Sequence, residues 1–236
     1  MKLSHRLLIL FLSVALSLNI FLLVFEHYAF NSNYYIENFL ALGVDETVGI
    51  SESDLIGVTE ALVSYIDDGS GNLMTTAVVN GTNVVFFNVK ERIHLDDIYV
   101  LAKNARTFVF VLQVLMVLAL LTLFYSAKGD IQFFLKPLKG ALWTAVAFIT
   151  FLGSLYFVDF NWAFHRFHEI FFSNDLWLLD PRTDRLIQLM PLDFFIGFTR
   201  TWLLTAVFAH FLLFLLYLLA KLLIKKFDTV HHREME

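Results

Sequence analysis

The chain contains no cysteine. That absence excludes disulfides, Cys-based metal sites and a thiol nucleophile, while saying little about compartment. Charge is scarce as well: 17% of the 236 residues are charged, and the net charge of -5 argues against nucleic acid as a partner. No G-x-S-x-G elbow, Walker A loop, H-E-x-x-H pair or Rossmann fingerprint occurs. No Lys/Arg cluster offers an outer anion site for phosphate chemistry, and there is no internal repeat or low-complexity tract.

Apolar residues fill the space that charge leaves. They make up 58% of the chain, with 27 phenylalanines, and the mean hydropathy is +0.68. A soluble domain of this size cannot hide so much apolar surface, so the sequence reads as an integral membrane protein. Four stretches approach the about 20 residues a crossing helix needs: 7–25, 107–127, 141–158 and 201–224. The first has a cleaved signal peptide as its alternative, but its apolar core is longer than a typical signal core and no A-x-A site follows.

Basic residues set the direction. Lys2, Arg6, Lys128, Lys136, Lys139, Lys221, Lys225, Lys226 and Arg233 fall on one side of these spans. That leaves 8 of the 17 basic residues and 18 of the 22 acidic residues for the other. Both termini are therefore expected in the cytoplasm, with residues 26–106 and 159–200 outside. Arg106 and Arg200, at span ends, are expected to snorkel. The expected fold is a single all-α membrane domain of four transmembrane helices, N-in/C-in. A small extracytoplasmic α+β cap joins spans one and two, and an interfacial helix and loop join spans three and four.

Within the cap, Ser51-x-x-Asp54 resembles a capping box, and Leu55, Val58, Leu62 and Tyr65 repeat at helical spacing. Asn80-Gly81 between two β-branched runs predicts a hairpin. Asn88-x-x-Glu91 predicts a helix that runs on toward span two. On it, His94 and Asp97 share a face, either as a carboxylate holding an imidazole in one tautomer or as a solvated charged face. Thirteen residues separate His94 from Thr107. A straight helix would lift the imidazole about 20 Å above the span, so a membrane reaction there needs a bend, a helix lying flat, or a deeper junction.

In the second outer segment Phe160, Phe164, Phe167 and Phe171 form an apolar stripe, with His168 beside Phe164 and Phe171. Trp162 and Trp177 suit the interfacial belt, so this helix is expected at the headgroup layer. His168 reads either as interfacial packing or as an acid–base group, and His165, four residues from Glu169, as facing headgroups. Pro191 suits the first turn of a helix leading to span four. His210, inside span four, is either a functional intramembrane group or a neutral ring hydrogen-bonded between helices. A short cytoplasmic link joins spans two and three, so their outer ends are expected to be neighbours and to bring His94 and His168 together. Zinc held by His94, Asp97, His165 and His168 is conceivable, though these ligands match no known spacing.

Three segments, ISESDLIGVTEALVSYIDD, VFFNVKERIHLDDIYVLAKNA and FHEIFFSNDLWLLDPRTDRLIQLMPLDFF, occur in this order among the spans. Together they resemble the lipoprotein intramolecular transacylase (Lit) family over nearly the whole chain. The resemblance implies an acyltransferase at the outer face of a bacterial cytoplasmic membrane. Its partners would be membrane lipid and a diacylated lipoprotein, whose sn-2 acyl chain moves to the α-amino group of the same cysteine, giving the lyso form. No ATP, metal or other cofactor is implied. On this reading His94 and His168 are the catalytic acid–base pair and Asp97 orients His94. Glu91 and Glu169 meet the substrate ammonium, and Phe164, Phe167 and Phe171, with Phe172, hold acyl chains. Asp180, Arg182 and Asp184 fix a turn. Two other classes compete: a non-enzymatic membrane protein whose cap binds a partner or lipid, and a zinc-dependent membrane hydrolase.

Overall fold

The structure is a computed structural model that describes residues 3–126 and 132–234. Lys2 and Lys128, used in the charge argument, lie outside the described residues, as does the end of the expected second span. In chain order the elements are α1 (Leu3–Ala29), α2 (Ser32–Ala41), α3 (Val44–Val48), α4 (Glu52–Asp68), β1 (Thr76–Val79), β2 (Thr82–Val85), α5 (Val89–Ser126), α6 (Gln132–Phe171), α7 (Arg185–Leu189) and α8 (Leu192–Glu234). Among the described residues four helices, α1, α5, α6 and α8, are long and apolar enough to cross a membrane, as the sequence predicted.

These helices outrun the predicted spans. α5 has 38 residues, about 57 Å of helix against a hydrocarbon core of about 30 Å. Its polar start holds Lys90, Glu91, Arg92, Asp96, Asp97, Lys103 and Arg106, so the uninterrupted apolar stretch begins only after Arg106. α5 continues unbroken to Ser126, and the departure from a straight helix lies instead in α6. There Asp159 is extended (φ -162°, ψ 92°) and its Oδ1 accepts from the Trp162 backbone N–H at 2.8 Å. Asp159 thus acts as the N-cap of a second helical segment, 160–171.

The chain divides into two compact units. The first comprises Met1–Val24, Phe108–Ser154 and Trp202–Glu236. Small residues let its helices approach closely: Ala119 packs with Leu12 and Leu123, and Ala145 and Ala206 pack with Phe21. His210 is only 4% exposed. Its Nδ1–H donates to the Ala206 carbonyl at 2.7 Å, and its Nε2 accepts from the Ser17 hydroxyl at 3.0 Å. Both ring nitrogens are therefore satisfied, the arrangement that lets a neutral imidazole reside between helices in lipid.

The second unit, Phe25–Thr107 and Leu155–Thr201, holds the small elements. α4 buries Leu55, Val58 and Leu62 and packs on α2. Ser51 Oγ caps it by accepting from the Asp54 N–H at 3.1 Å. Asp54 does not complete a reciprocal box, because its Oδ2 accepts from the Val78 N–H at 3.1 Å and so fastens α4 to β1. Tyr65 is drawn outward to the Asp96 carboxylate, which pushes its phenol up to about 12. The hairpin turns at Asn80 (φ 49°) and Gly81 (φ 83°), the doubly left-handed pair of a type I′ turn. Arg106 donates to Glu26 Oε1 at 3.0 Å and to Asp67, and its guanidinium lies 3.9 Å over the Phe30 ring. This gives the residue an ion-paired anchorage within the unit.

Gly49 and Gly43 offer a test of the cap. Both have positive φ, but a Cβ on Gly49 would strike the Asn80 side chain, whereas Gly43 faces open space. Gly49→Ala is expected to cost about 2 kcal/mol and Gly43→Ala about 1 kcal/mol. Thermal unfolding in detergent should show the larger loss for Gly49→Ala.

Candidate active site

Two helices and one turn of the second unit build the site. α5 starts with a reciprocal box: Asn88 Oδ1 accepts from the Glu91 N–H at 3.0 Å, and Glu91 Oε2 accepts from the Asn88 N–H at 2.6 Å. The other oxygen of Glu91 accepts from the Leu186 N–H at 2.6 Å. The side chain is completely buried. Burial pushes its carboxyl above the usual range, against the pull of the two backbone donors. With both oxygens engaged by backbone, Glu91 holds chain rather than standing open to an ammonium group.

His94 lies three residues further along α5 and is only 4% exposed. Its Nδ1 has no hydrogen-bond partner. Burial, joined by the nearby His168, pushes the imidazole down to about 4, with Asp97 acting in opposition. Asp97 does not hydrogen-bond to His94, because its Oδ2 accepts from Asn174 Nδ2 at 2.9 Å.

His168 projects from segment 160–171 of α6. Its Nδ1 lies 2.7 Å from the Phe164 carbonyl. A carbonyl only accepts, so Nδ1 carries the proton and neutral His168 keeps its lone pair on Nε2. The two histidine rings meet with centroids 6.2 Å apart and planes tilted by 37°. Phe172 presents an edge to His94 at 5.1 Å and packs against His168 at 5.6 Å. Phe164 lies 4.4 Å from His168 and 4.8 Å from Phe195 of α8. Trp177 stacks on His168 at 5.0 Å with planes 28° apart.

The other expected residues stand further out. Glu169 is exposed and ion-paired with Arg166 of its own helix. His165 is exposed and bonds the Asn161 carbonyl, touching Trp177 edge-on at 5.8 Å. Phe167 and Phe171 pair at 4.8 Å and remain exposed, as does Ile170. Asp180 and Arg182 pair within their turn, and buried Asp184 accepts from the Asp180 N–H and Asn88 Nδ2, so these residues do fix a turn. Among the described residues no three His, Asp or Glu side chains gather as a metal site.

Sequence reasoning missed Asn174 and the stacking of Trp177 on His168. Asn174 carried a usable signal as an Asx residue opening the turn after α6: its Oδ1 accepts from the Leu176 N–H at 3.0 Å. Trp177 carried none, because its spacing from His168 reflects a turn and not a helix period.

Residues 10–195 match the family model described as lipoprotein intramolecular transacylase Lit. No curated protein sequence matches the chain. Among solved structures, that of the membrane-integral lipoprotein intramolecular transacylase Lit from Bacillus cereus is similar, with a TM-score of 0.77 and 21% identity. The match covers 96% of this chain and 98% of that one. Two variants of the same bacterial protein, one with a histidine changed to arginine and one to alanine, each give a TM-score of 0.72 at 20% identity. They cover 96% of this chain, and 95% and 96% of their own. At that identity the likeness is one of fold.

The buried imidazole of His94 has a consequence for acid stability. Its folded-state value of about 4 lies below its ordinary 6.5, so the unfolded chain binds the proton first as pH falls. The stabilisation is present above about pH 6.5 and is lost as pH drops toward 4, by up to about 3 kcal/mol. Across that window the unfolding midpoint of the wild type should fall relative to that of His94→Gln as pH drops.

Proposed function

The chain belongs to the lipoprotein intramolecular transacylase Lit family, and from that premise we propose that it moves the sn-2 acyl chain of a diacylglyceryl-cysteine lipoprotein to the α-amino group of the same cysteine. The observation that carries this reading is the His94–His168 pair: two imidazoles 6.2 Å apart, hydrogen-bonded to other partners or to none, and walled by aromatic rings. That closeness of ring centroids lets both imidazoles reach a common reacting centre.

The reaction forms an amide C–N bond and breaks an ester C–O bond. The nitrogen must lose a proton and the glyceryl oxygen must gain one. A free α-amino group titrates at about 8, so part of it is neutral and nucleophilic at neutral pH. His168, with its lone pair on Nε2, serves as the base that takes the proton from the attacking nitrogen. Neutral His94 retains one ring N–H, which hydrogen-bonds the tetrahedral oxyanion, and the proton taken by His168 passes from its Nε2 to the departing glyceryl alkoxide, so both rings end neutral. Asp97, one turn along α5, favours the charged form of His94. Both reacting groups belong to one substrate, so the protein's main contribution is to hold amine and ester together. No acyl-enzyme intermediate is required, and an ester-to-amide exchange requires neither ATP nor metal.

The exposed row Phe167, Ile170 and Phe171, with Phe164 beside His168, supplies an apolar surface for acyl chains near the imidazoles. The charge asymmetry supports an N-in/C-in orientation with this surface on the extracytoplasmic face of the bacterial membrane.

Two experiments test the proposal. Purified protein is incubated with a synthetic diacylglyceryl-cysteinyl peptide and the product fragmented by tandem mass spectrometry, since the parent mass does not change. The wild type should place the acyl group on the N-terminal fragment. His94→Ala and His168→Ala should each lower the rate at least about 100-fold while still inserting into membranes; full activity in both would remove these roles. Orientation is read by labelling, which the cysteine-free chain makes clean. In intact cells an impermeant maleimide should modify Ser70→Cys, and Lys225→Cys only after lysis.

A further inference from the structure

Trp177 does more than a headgroup-level tryptophan needs to do. Anchoring an aromatic ring at a membrane interface asks only for an apolar body and a wet edge, whereas here one face of the indole is covered by an imidazole. Of the rings around His168, Trp177 lies closest to parallel, with planes 28° apart and centroids at 5.0 Å. Phe164, Phe167 and Phe172 approach at 57°, 83° and 34°.

That position is held from α5. Lys90, His94 and Asp97 stand at i, i+4 and i+7, on one helical face. Lys90 Nζ donates to the Leu178 carbonyl at 2.5 Å, and Asp97 accepts from Asn174 Nδ2 at 2.9 Å. The two outer members of the row therefore clasp the turn that presents Trp177, and the middle member is the other histidine of the pair. Within the turn, Leu178 N–H donates to the Asp175 carbonyl at 3.1 Å and Leu179 N–H to the Trp177 carbonyl at 2.9 Å.

We infer that Trp177 is a positioning residue of the transacylase pair: its indole fixes the plane of the His168 ring and stabilises the imidazolium formed when His168 takes the proton of the attacking amine. The inference rests on the function proposed above. An indole face within about 6 Å of a cation attracts it, and tryptophan does so best among the aromatic side chains. The other titratable groups facing His168 are His94 from α5, with Asp97 beside it, and His165 from its own helix. The elements that bring Phe172, Trp177 and Phe195 contribute uncharged rings. The indole thus offers His168 stabilisation without a competing full charge.

The test uses the full chain in detergent or liposomes with the diacylglyceryl-cysteinyl peptide. Trp177→Leu should lower turnover about tenfold at neutral pH, and Trp177→Phe, which keeps an aromatic face, only about threefold. Losing the stack makes His168 titrate lower, so the acid limb of the Trp177→Leu profile should move to lower pH. A readout independent of catalysis is indole emission, which an adjacent imidazolium quenches. The emission difference between wild type and Trp177→Phe should fall with His168 protonation and lose that response in His168→Gln. Wild-type turnover with an unmoved acid limb in Trp177→Leu, or emission indifferent to His168→Gln, would overturn the inference while leaving the transacylase reading intact. A wild type that never transfers the chain, although Trp177 emission follows His168, would instead sink the reaction and with it the role assigned to the stack.

Discussion

The geometry of the site depends on one buried carboxylate. Glu91 sits without solvent, where an unpaired charge would be costly, and it is tolerated because two backbone N–H groups meet its oxygens. One donor lies at the start of its own helix. The other belongs to Leu186, 95 residues away. The first bond fixes where α5 begins and therefore which face carries His94. The second ties that beginning to the segment leading into α8. Neighbouring bonds repeat the connection: Asn88 and Lys90 reach Asp184, and Arg185 reaches the Val85 and Phe86 carbonyls. Several polar groups around the start of α5 thus fasten backbone, whereas His94 Nδ1 beside them has no hydrogen-bond partner.

Aromatic residues then set the environment of those groups. His94 is buried against Phe172, and His168 is enclosed by Phe164, Phe172 and Trp177. Such surroundings exclude water and strengthen each remaining electrostatic contact. They also suit a substrate whose tails are apolar and whose reacting amine is polar.

Much of this was legible because it rests on short-range rules. The Asn88–Glu91 box, the Asn80-Gly81 turn and the Leu55, Val58, Leu62 stripe are local patterns with local causes, and each appears where its spacing indicates. The meeting of His94 and His168 was legible from topology, since two helices joined by a short link place their far ends together. What stayed hidden was decided by long-range partners. Nothing in the chain marks Leu186 as the second donor to Glu91 or Asn174 as the partner of Asp97. The break in α6 involves neither proline nor glycine. Its signal was Asp159 three residues before Trp162, an N-cap masked by the apolar run around it. The short α7 was likewise invisible, being one turn long and fastened by Glu91.

The distances along the chain between bonded partners have a consequence for biogenesis. Asn174 meets Asp97 across 77 residues, Leu186 meets Glu91 across 95, and Arg185 meets the Val85 carbonyl across 100. Loop-closure entropy grows only slowly with such lengths, but contacts this remote in sequence form late. During synthesis, α1 and α5 emerge long before the segment that fastens the face of His94. A nascent chain that ends short of Asp184 already carries both histidines, yet has none of the bonds from Asp184, Arg185 and Leu186 that seat the start of α5. The start of α5 is therefore seated only once the segment leading into α8 has been made.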